Sequence, residues 1–225
     1  MDKFGLEDIM ELLAGIGKPG QDQFPVKIQM HGLGLTPERM EELKGKRILD
    51  PCCGKKGNLV EHLRDKGIIA EGMDPGLEVK SDYLVKRGIA VSYTGEGSIP
   101  KPDNYYEGIY AHAFNQLFYP FAGLEGFYKF GTRLESTLIL TELLRVLKPQ
   151  GTITSCPSIL ELDSQHLGIG APRISIKHEK IGGVFGDYLD KALETLGKIS
   201  LEVNIGDETK RIIEVLGHRT IITKL

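Results

Sequence analysis

Residues 48–57 read Ile-Leu-Asp-Pro-Cys-Cys-Gly-Lys-Lys-Gly, and no other stretch of the chain restricts its fold as much. A short apolar run ends in an acid, turns through glycines and enters an amphipathic pattern, which is the order strand, tight loop, helix. Residues 47–50 are predicted as a short buried strand, and 57–66 as a helix with Leu59, Val60 and Leu63 on one face. The alternation then repeats. Strands are expected over 68–73, 89–93, 108–111 and 151–155, with a helix over 77–86. The clearest helix covers 133–147, where Leu134, Leu138, Leu140, Leu143, Leu144 and Leu147 recur at helical spacing before the stop signal Lys148-Pro149-Gln150-Gly151. This rhythm predicts an α/β chain with a doubly wound, mostly parallel sheet and helices on both faces. Such sheets bind ligands outside the carboxyl ends of their strands. Function is therefore to be sought in the residues that follow each strand.

The flanks are read more coarsely. Residues 1–45 form an N-terminal helical cap and 46–225 the main domain. The cap holds a short amphipathic helix over 6–13, a Gly/Pro-rich link over 15–25, and a helix that starts at Thr36-Pro37 and ends at Gly45. The stretch after the fifth strand, with His166 and His178, reads as irregular and as part of a lid, with residues 1–45 as the rest. In the tail, 189–196 is a helix, 200–205 a strand and 219–223 a plain last strand. Residues 212–216 fit either a helix ended by Gly217 or a hairpin with the last strand.

Composition excludes several classes. The net charge is −3 and the pI about 6.1, which argues against a strongly basic nucleic-acid surface. The only dense basic cluster, Lys44-Gly45-Lys46-Arg47, is short. Cys52, Cys53 and Cys156 include no CxxC spacing, so they are expected to be thiols in a reducing compartment, with no metal site. No apolar run follows Met1, and none approaches the ~20 residues of a bilayer span. A cytoplasmic chain without a membrane partner is the expectation, as a monomer or a homodimer.

The loop after the first strand raises the question of which nucleotide it suits. Cys52-x-Gly54-x-x-Gly57 has the spacing of a dinucleotide fingerprint with its first glycine missing. Asp74, 24 residues beyond Asp50, could hold ribose hydroxyls in a dinucleotide or an adenosyl site. Asp50 separates the two. A pyrophosphate at the following helix N-terminus would be repelled by a carboxylate there. S-adenosylmethionine carries a sulfonium and an ammonium beside a carboxylate. An acid suits the cationic part, while the helix N-terminus with Lys55 or Lys56 suits the carboxylate.

These segments resemble the class I S-adenosylmethionine-dependent methyltransferase family. Ile48-Leu49-Asp50-Pro51-Cys52-Cys53-Gly54 is similar to its first motif, and Gly72-Met73-Asp74 to its second, where the acid holds the ribose. Gly95-Glu96-Gly97-Ser98-Ile99-Pro100 is similar to its third, which meets the adenine, and residues 103–110 to its fourth strand and the approach to it. Residues 142–151, Glu-Leu-Leu-Arg-Val-Leu-Lys-Pro-Gln-Gly, resemble most closely the family's helix ending in Leu-Lys-Pro-Gly-Gly. The resemblance covers about residues 45–157. It implies a Rossmann-like sheet of seven strands, the last antiparallel, with the donor over strands one to three. It also implies donor contacts from Asp50, Cys52, Gly54, Lys56, Asp74, Pro75, Glu96, Gly97 and Ala111, and S-adenosylhomocysteine as product. Cys52 stands where the family usually has its first glycine, and Lys56 where it often has another. Side chains there crowd the backbone's approach to a ligand.

Methyl transfer needs proximity, alignment and exclusion of water, and a general base only if the acceptor loses a proton. His112 is the candidate base by position, with Asn115 a polar neighbour. Phe118, Tyr119, Phe121 and Tyr128, in a glycine-broken stretch, are candidates for an acceptor pocket. No Asp/Asn-Pro-Pro-Tyr motif follows the fourth strand, which disfavours the family's exocyclic-amine DNA enzymes. The expected activity is methylation of a small, partly apolar molecule. The alternatives are a non-catalytic adenosyl-ligand-binding protein and an RNA or protein methyltransferase.

Overall fold

The computed structural model describes residues 26–54, 56–73, 99–112, 133–156, 172–182 and 218–225. Its elements in chain order are α1 (Val26–Leu33), α2 (Pro37–Leu43), β1 (Arg47–Asp50), α3 (Asn58–Asp65), β2 (Ile69–Gly72), β3 (Tyr106–His112), α4 (Arg133–Val146), β4 (Leu147–Cys156), β5 (Ile174–Lys180) and β6 (His218–Lys224). The described strands form one sheet in the order β2-β1-β3-β4-β6-β5. β1 runs parallel to β2 and β3, and β3 parallel to β4. β6 runs antiparallel to both β4 and β5. The last strand in sequence is thus the one that opposes the others, as expected. The strands expected over 89–93 and 200–205, the helices over 6–13, 77–86 and 189–196, and the alternatives for 212–216 lie outside the described residues.

Strand alternation divides the core in two. Ile48, Ala70, Tyr110 and Cys156 face a cluster built with Ile28 and Leu33 of α1, Met40 and Leu43 of α2, and Leu59, Val60 and Leu63 of α3. Leu49, Ile109, Ala111, Ile153 and Ile222 face the other cluster, built with Leu140, Leu143 and Leu144 of α4. The sheet is therefore covered on both sides. Residues 26–43, within the segment read as a cap, contribute directly to the first of these clusters.

Local sequence explains most boundaries. Thr36 caps α2, its hydroxyl accepting from the Arg39 amide at 3.2 Å, and Pro37 fills the first helical position. The carbonyls at the end of α4 are met by the amides of Asn104 and Tyr105, and by the Lys224 ammonium, which reaches the Leu144 and Leu147 oxygens.

Three features depart from the sequence reading. Residues 26–33 had no element assigned, yet they form α1. Val26, Ile28 and Met30 alternate with polar residues in the strand period, which hides a helix that buries Ile28, Gln29, Gly32 and Leu33. The stop signal after α4 is not a separate turn but part of β4. Tyr106 pairs with Leu147 and Gly108 with Thr152, so a two-residue step on β3 faces a five-residue step on β4. The surplus bulges out where Pro149 has no amide to give and Gln150 adopts φ 62°. Finally, residues 174–180, within and just past the stretch read as an irregular lid, form β5. It pairs with β6 along its whole length, and His178 is part of it.

Candidate active site

β1 leads through α3 to β2 on one side, while β3 lies against its other side. The order of the sheet therefore reverses at β1, and the ligand crevice of such a sheet opens between the carboxyl ends of β1 and β3. Asp50, residues 51–54 and 56–57, Gly72, Met73, Ala111 and His112 are gathered there.

Asp50 is the last residue of β1 and is 2% exposed. Its Oδ1 accepts from the Cys52 amide at 3.1 Å, an Asx-type contact that starts the turn. The loop is then tied to the end of β2: the Met73 amide donates to the Asp50 carbonyl at 2.7 Å, and the Cys53 amide to the Met73 carbonyl at 2.9 Å. Cys53 is buried against Gly72, where an added Cβ would stand 2.6 Å from its sulfur. Gly54 and Gly57 both adopt left-handed backbone, φ 62° and 61°, which side-chain-bearing residues rarely accept. Gly57 is the residue that opens α3 and brings no side-chain oxygen to its first amides. Cys52 is half-buried and packs toward the α4 side of the sheet. Lys56 is exposed.

At the end of β3, Ala111 points into the α4-side core and His112 to the opposite face, in register with Cys156 at the end of β4. α1 lies over this pair. A Cβ on Gly32 would come within 2.5 Å of the Cys156 sulfur and 3.8 Å of the His112 ring. Burial pushes the His112 imidazole down to about 4, so it is neutral at pH 7 and a weak base. The same burial pushes the Cys156 thiol up to about 12, against a smaller opposing pull from Arg219. The structure thus brings Asp50, Cys52, Gly54, Lys56, Ala111 and His112 to one end of the sheet. Asp74, Pro75, Glu96, Gly97, Asn115, Phe118, Tyr119, Phe121, Tyr128, Lys55 and His166 lie outside the described residues.

His178 is turned to a different use, its Nδ1 standing 3.0 Å from the Thr220 hydroxyl on the neighbouring strand. Among the described residues no three potential metal ligands come together. Nor is any helix among them long and apolar enough to cross a membrane. Sequence reasoning missed Gly72 as the seat for Cys53, the Met73 backbone as the tie between loops, and Gly32 as the contact of α1 with His112 and Cys156. For Gly72 the signal was present, a glycine just before the acid of the second motif. Gly32 sits in a stretch whose period conceals its helix.

No protein-family model matches the chain, and no curated protein matches it in sequence. Many solved structures resemble it over most of its length. One is a chain of the Haloferax volcanii complex between the Trm112 methyltransferase activator and a methyltransferase, with 15% identity, 99% of each chain covered and TM-score 0.49. Another is a SAM-dependent methyltransferase from Archaeoglobus fulgidus, with 17% identity, 88% of this chain and 94% of that one covered, and TM-score 0.40. A third is SpnF, a 4+2 cyclase, with 17% identity, 96% and 91% covered, and TM-score 0.42. At identities and TM-scores this low, the fold assignment rests on the sheet's own order and register. These are consistent with a Rossmann-like methyltransferase fold: five parallel strands, an opposed last strand and a switch point at β1.

Proposed function

We propose that the chain is an S-adenosylmethionine-dependent methyltransferase acting on a small, partly apolar acceptor. The observation that carries this reading is Asp50: a buried carboxylate at the switch point, at the start of a loop that turns through Gly54 and Gly57 into α3. A negative group there repels a pyrophosphate and attracts a sulfonium or an ammonium. The residues present fit such a group, which when bound supplies an activated methyl on a good leaving group. Asp50 holds the cationic part of the donor, and the N-terminal turn of α3 with Lys56 faces its carboxylate. Cys52, Gly54 and Ala111 line the donor, and Asp74, Pro75, Glu96 and Gly97 complete its ribose and adenine contacts. On the acceptor side the neutral, buried His112 supports an acceptor that needs little help losing a proton, or none. Asn115, Phe118, Tyr119, Phe121 and Tyr128 shape its pocket.

The test is calorimetric titration of the full chain with S-adenosylmethionine, S-adenosylhomocysteine and NAD. Micromolar binding of the first two and none of NAD is expected. NAD binding, or no binding of either adenosyl ligand, overturns the reading. Asp50→Asn refines it, because the amide oxygen still accepts from the Cys52 amide while the charge is gone. Donor affinity should fall by about 1.5–3 kcal/mol, the range for a hydrogen bond to a charged group. Asp74→Ala should cost a similar amount.

A further inference from the structure

The β5–β6 hairpin is charged unlike the rest of the chain. Residues 172–182 and 218–225 hold Arg173, Lys177, Lys180, Arg219 and Lys224 against one acidic side chain, Glu179, in a chain of net charge −3. Strand alternation sorts these charges between the two faces of the sheet. Lys177, Glu179 and Arg219 share the α1 face, where Arg219 lies against Gly34. Glu179 takes Lys177 at 2.7 Å and Arg219 at 2.8 Å there. On the other face Ile174, Ile176 and Ile222 pack into the α4 cluster. The same alternation places His178, Lys180, His218, Thr220 and Lys224 on that face, and no acidic residue of the hairpin joins them. Lys224 is committed at its far end, to the Leu144 and Leu147 carbonyls.

Antiparallel pairing brings the remaining three to the crevice end. Thr220 of β6 pairs with Ser155 of β4. His218, two residues earlier, therefore stands one step past Cys156, the last residue of β4, at the same end of the sheet as Asp50 and His112. Two strand spacings separate β6 from β3, ~10 Å. Lys180 lies directly opposite His218, and His178 opposite Thr220, whose hydroxyl is 3.0 Å from Nδ1. That contact turns the other ring nitrogen, Nε2, away from Thr220. Lys180 and His178 are exposed and His218 is half-buried. Like charges on opposed strands are unfavourable, and His178 is held below the ordinary imidazole range by burial and then by His218. An anion set among the three offsets that repulsion and receives charge-assisted hydrogen bonds. This end of the sheet is thus polarised, with the Asp50 carboxylate on β1 and a cationic cluster on β5 and β6, an order that suits a cationic donor beside an anionic partner.

We propose that His178, Lys180 and His218 form an anion subsite at the far side of the crevice, and that the methyl acceptor is a small molecule whose carboxylate or phosphate binds there, with its reacting atom toward β3. The subsite rests on the proposed activity only in naming its occupant as the acceptor.

The test uses the full chain with no donor present. Benzoate and phenyl phosphate are the probes, and benzamide is the neutral control for benzoate, all at constant ionic strength. Binding is read by NMR from the imidazole proton resonances of His178 and His218, assigned with His178→Gln and His218→Gln. His62 on α3 is the internal reference. One or both acids should move the His178 and His218 resonances saturably and leave His62 in place, while benzamide moves neither. The acid that binds more tightly identifies the group the subsite takes. Lys180→Gln should weaken that binding at least threefold, and its exposed position leaves the core undisturbed. Shifts with neither acid, or equal shifts with benzamide, overturn the proposal. Equal movement of His62 overturns it too, because the effect would then be diffuse. Unchanged affinity in Lys180→Gln overturns the three-residue subsite. Failure here leaves adenosyl-ligand binding untouched, and adenosyl-ligand binding can fail while these shifts persist, so the two readings fall separately.

Discussion

The two ends of the sheet are built from different chemistry. At the amino ends of the parallel strands, charge is dense and committed. Arg145 grips both oxygens of Glu142, Asp103, and the carbonyls of Ile99 and Lys101. Glu71, next to last in β2, receives Lys101 at 2.8 Å and the hydroxyl of Tyr106, the first residue of β3, at 2.6 Å, and Glu107 receives the Arg47 amide and Lys148. The Tyr105 ring is flanked by Arg47 at 4.7 Å and Lys101 at 4.9 Å. Partly exposed ion pairs are individually weak. These gain weight because Arg145 also satisfies the backbone carbonyls of Ile99 and Lys101 on the approach to β3. Among the described residues at the carboxyl ends, Asp50 is the buried acid, beside glycines, thiols and a neutral imidazole. One end uses its charges to hold the chain together, while the other places the buried Asp50 carboxylate at the start of a loop that turns through Gly54 and Gly57. Acid, disruption of each end, and substitution of the exposed loop lysine probe that division in decreasing order of effect.

Acid should separate the two ends. The folded imidazole of His112 sits at about 4 against an ordinary 6.5, so the unfolded chain takes up its proton first as the pH falls. The stability it contributes is complete above about 6.5, is lost on the way down to about 4 and changes no further below that, in total on the order of 3 kcal/mol. His178, also lowered by burial and by His218, adds to the same window. Glu142 and Glu107 are held below the usual carboxylate range by Arg145 and Lys148, against an opposing push from burial that for Glu107 is the largest single influence. Their contribution is complete above about 4.5 and disappears only below it. Urea denaturation of His112→Phe should therefore show a much shallower loss between pH 7 and 5 than wild type, with the loss below pH 4.5 retained. An unchanged slope between pH 7 and 5 would place that acid sensitivity elsewhere.

Arg145→Ala attacks the opposite end. It strands two carbonyls and leaves Glu142, whose Oε1 also receives the Ile99 amide, without its cation. A loss of about 2–3 kcal/mol is expected in urea, with donor affinity of the folded protein unchanged. An affinity that falls with the stability would show that the amino end shapes the site as well.

Gly72→Ala tests the carboxyl end by packing alone. The new methyl meets Cys53 at 2.6 and 2.7 Å and Val60 at 3.1 Å, and overpacking of this kind costs about 1–3 kcal/mol. Adding Cys53→Ala should recover most of it, because the collision is with that side chain. Additive losses in the double variant would mean that the strain lies in the β2 backbone instead.

How much of this was legible depended on where the information sits. β1, α3, β2 and α4 carry strong periods of their own, and their places were read from residues such as Leu59, Val60 and Leu63. Thr36-Pro37 announced α2 because capping is local chemistry. α1 and β5 were not legible because each owes its form to a distant partner. α1 has an ambiguous period and is fixed by docking on Cys156 and His112. β5 has only Ile174 and Ile176 to mark it and is fixed by its ladder with β6. In the site, Asp50 was legible from charge and position. The burial of His112 was not, because α1 packs over that end of β3, with Gly32, eighty residues away in sequence, close to its ring.

Lys56→Ala carries the smallest effect and bears most directly on what the carboxyl end is for. The side chain is exposed, so its removal should alter stability by no more than about 0.5 kcal/mol. If Lys56 faces the donor's carboxylate, S-adenosylmethionine affinity should weaken by about 0.5–1 kcal/mol at low salt, and the difference should shrink at 0.5 M salt, where exposed charges are screened within a few ångströms. Adenosine, which has no carboxylate, should bind both proteins alike. Calorimetry of the two proteins with both ligands at two salt concentrations reads this directly. Equal affinity of wild type and variant for S-adenosylmethionine at low salt would leave the donor's carboxylate to the α3 amides alone, and the carboxyl end would then bind by backbone and one acid, with no exposed cation taking part.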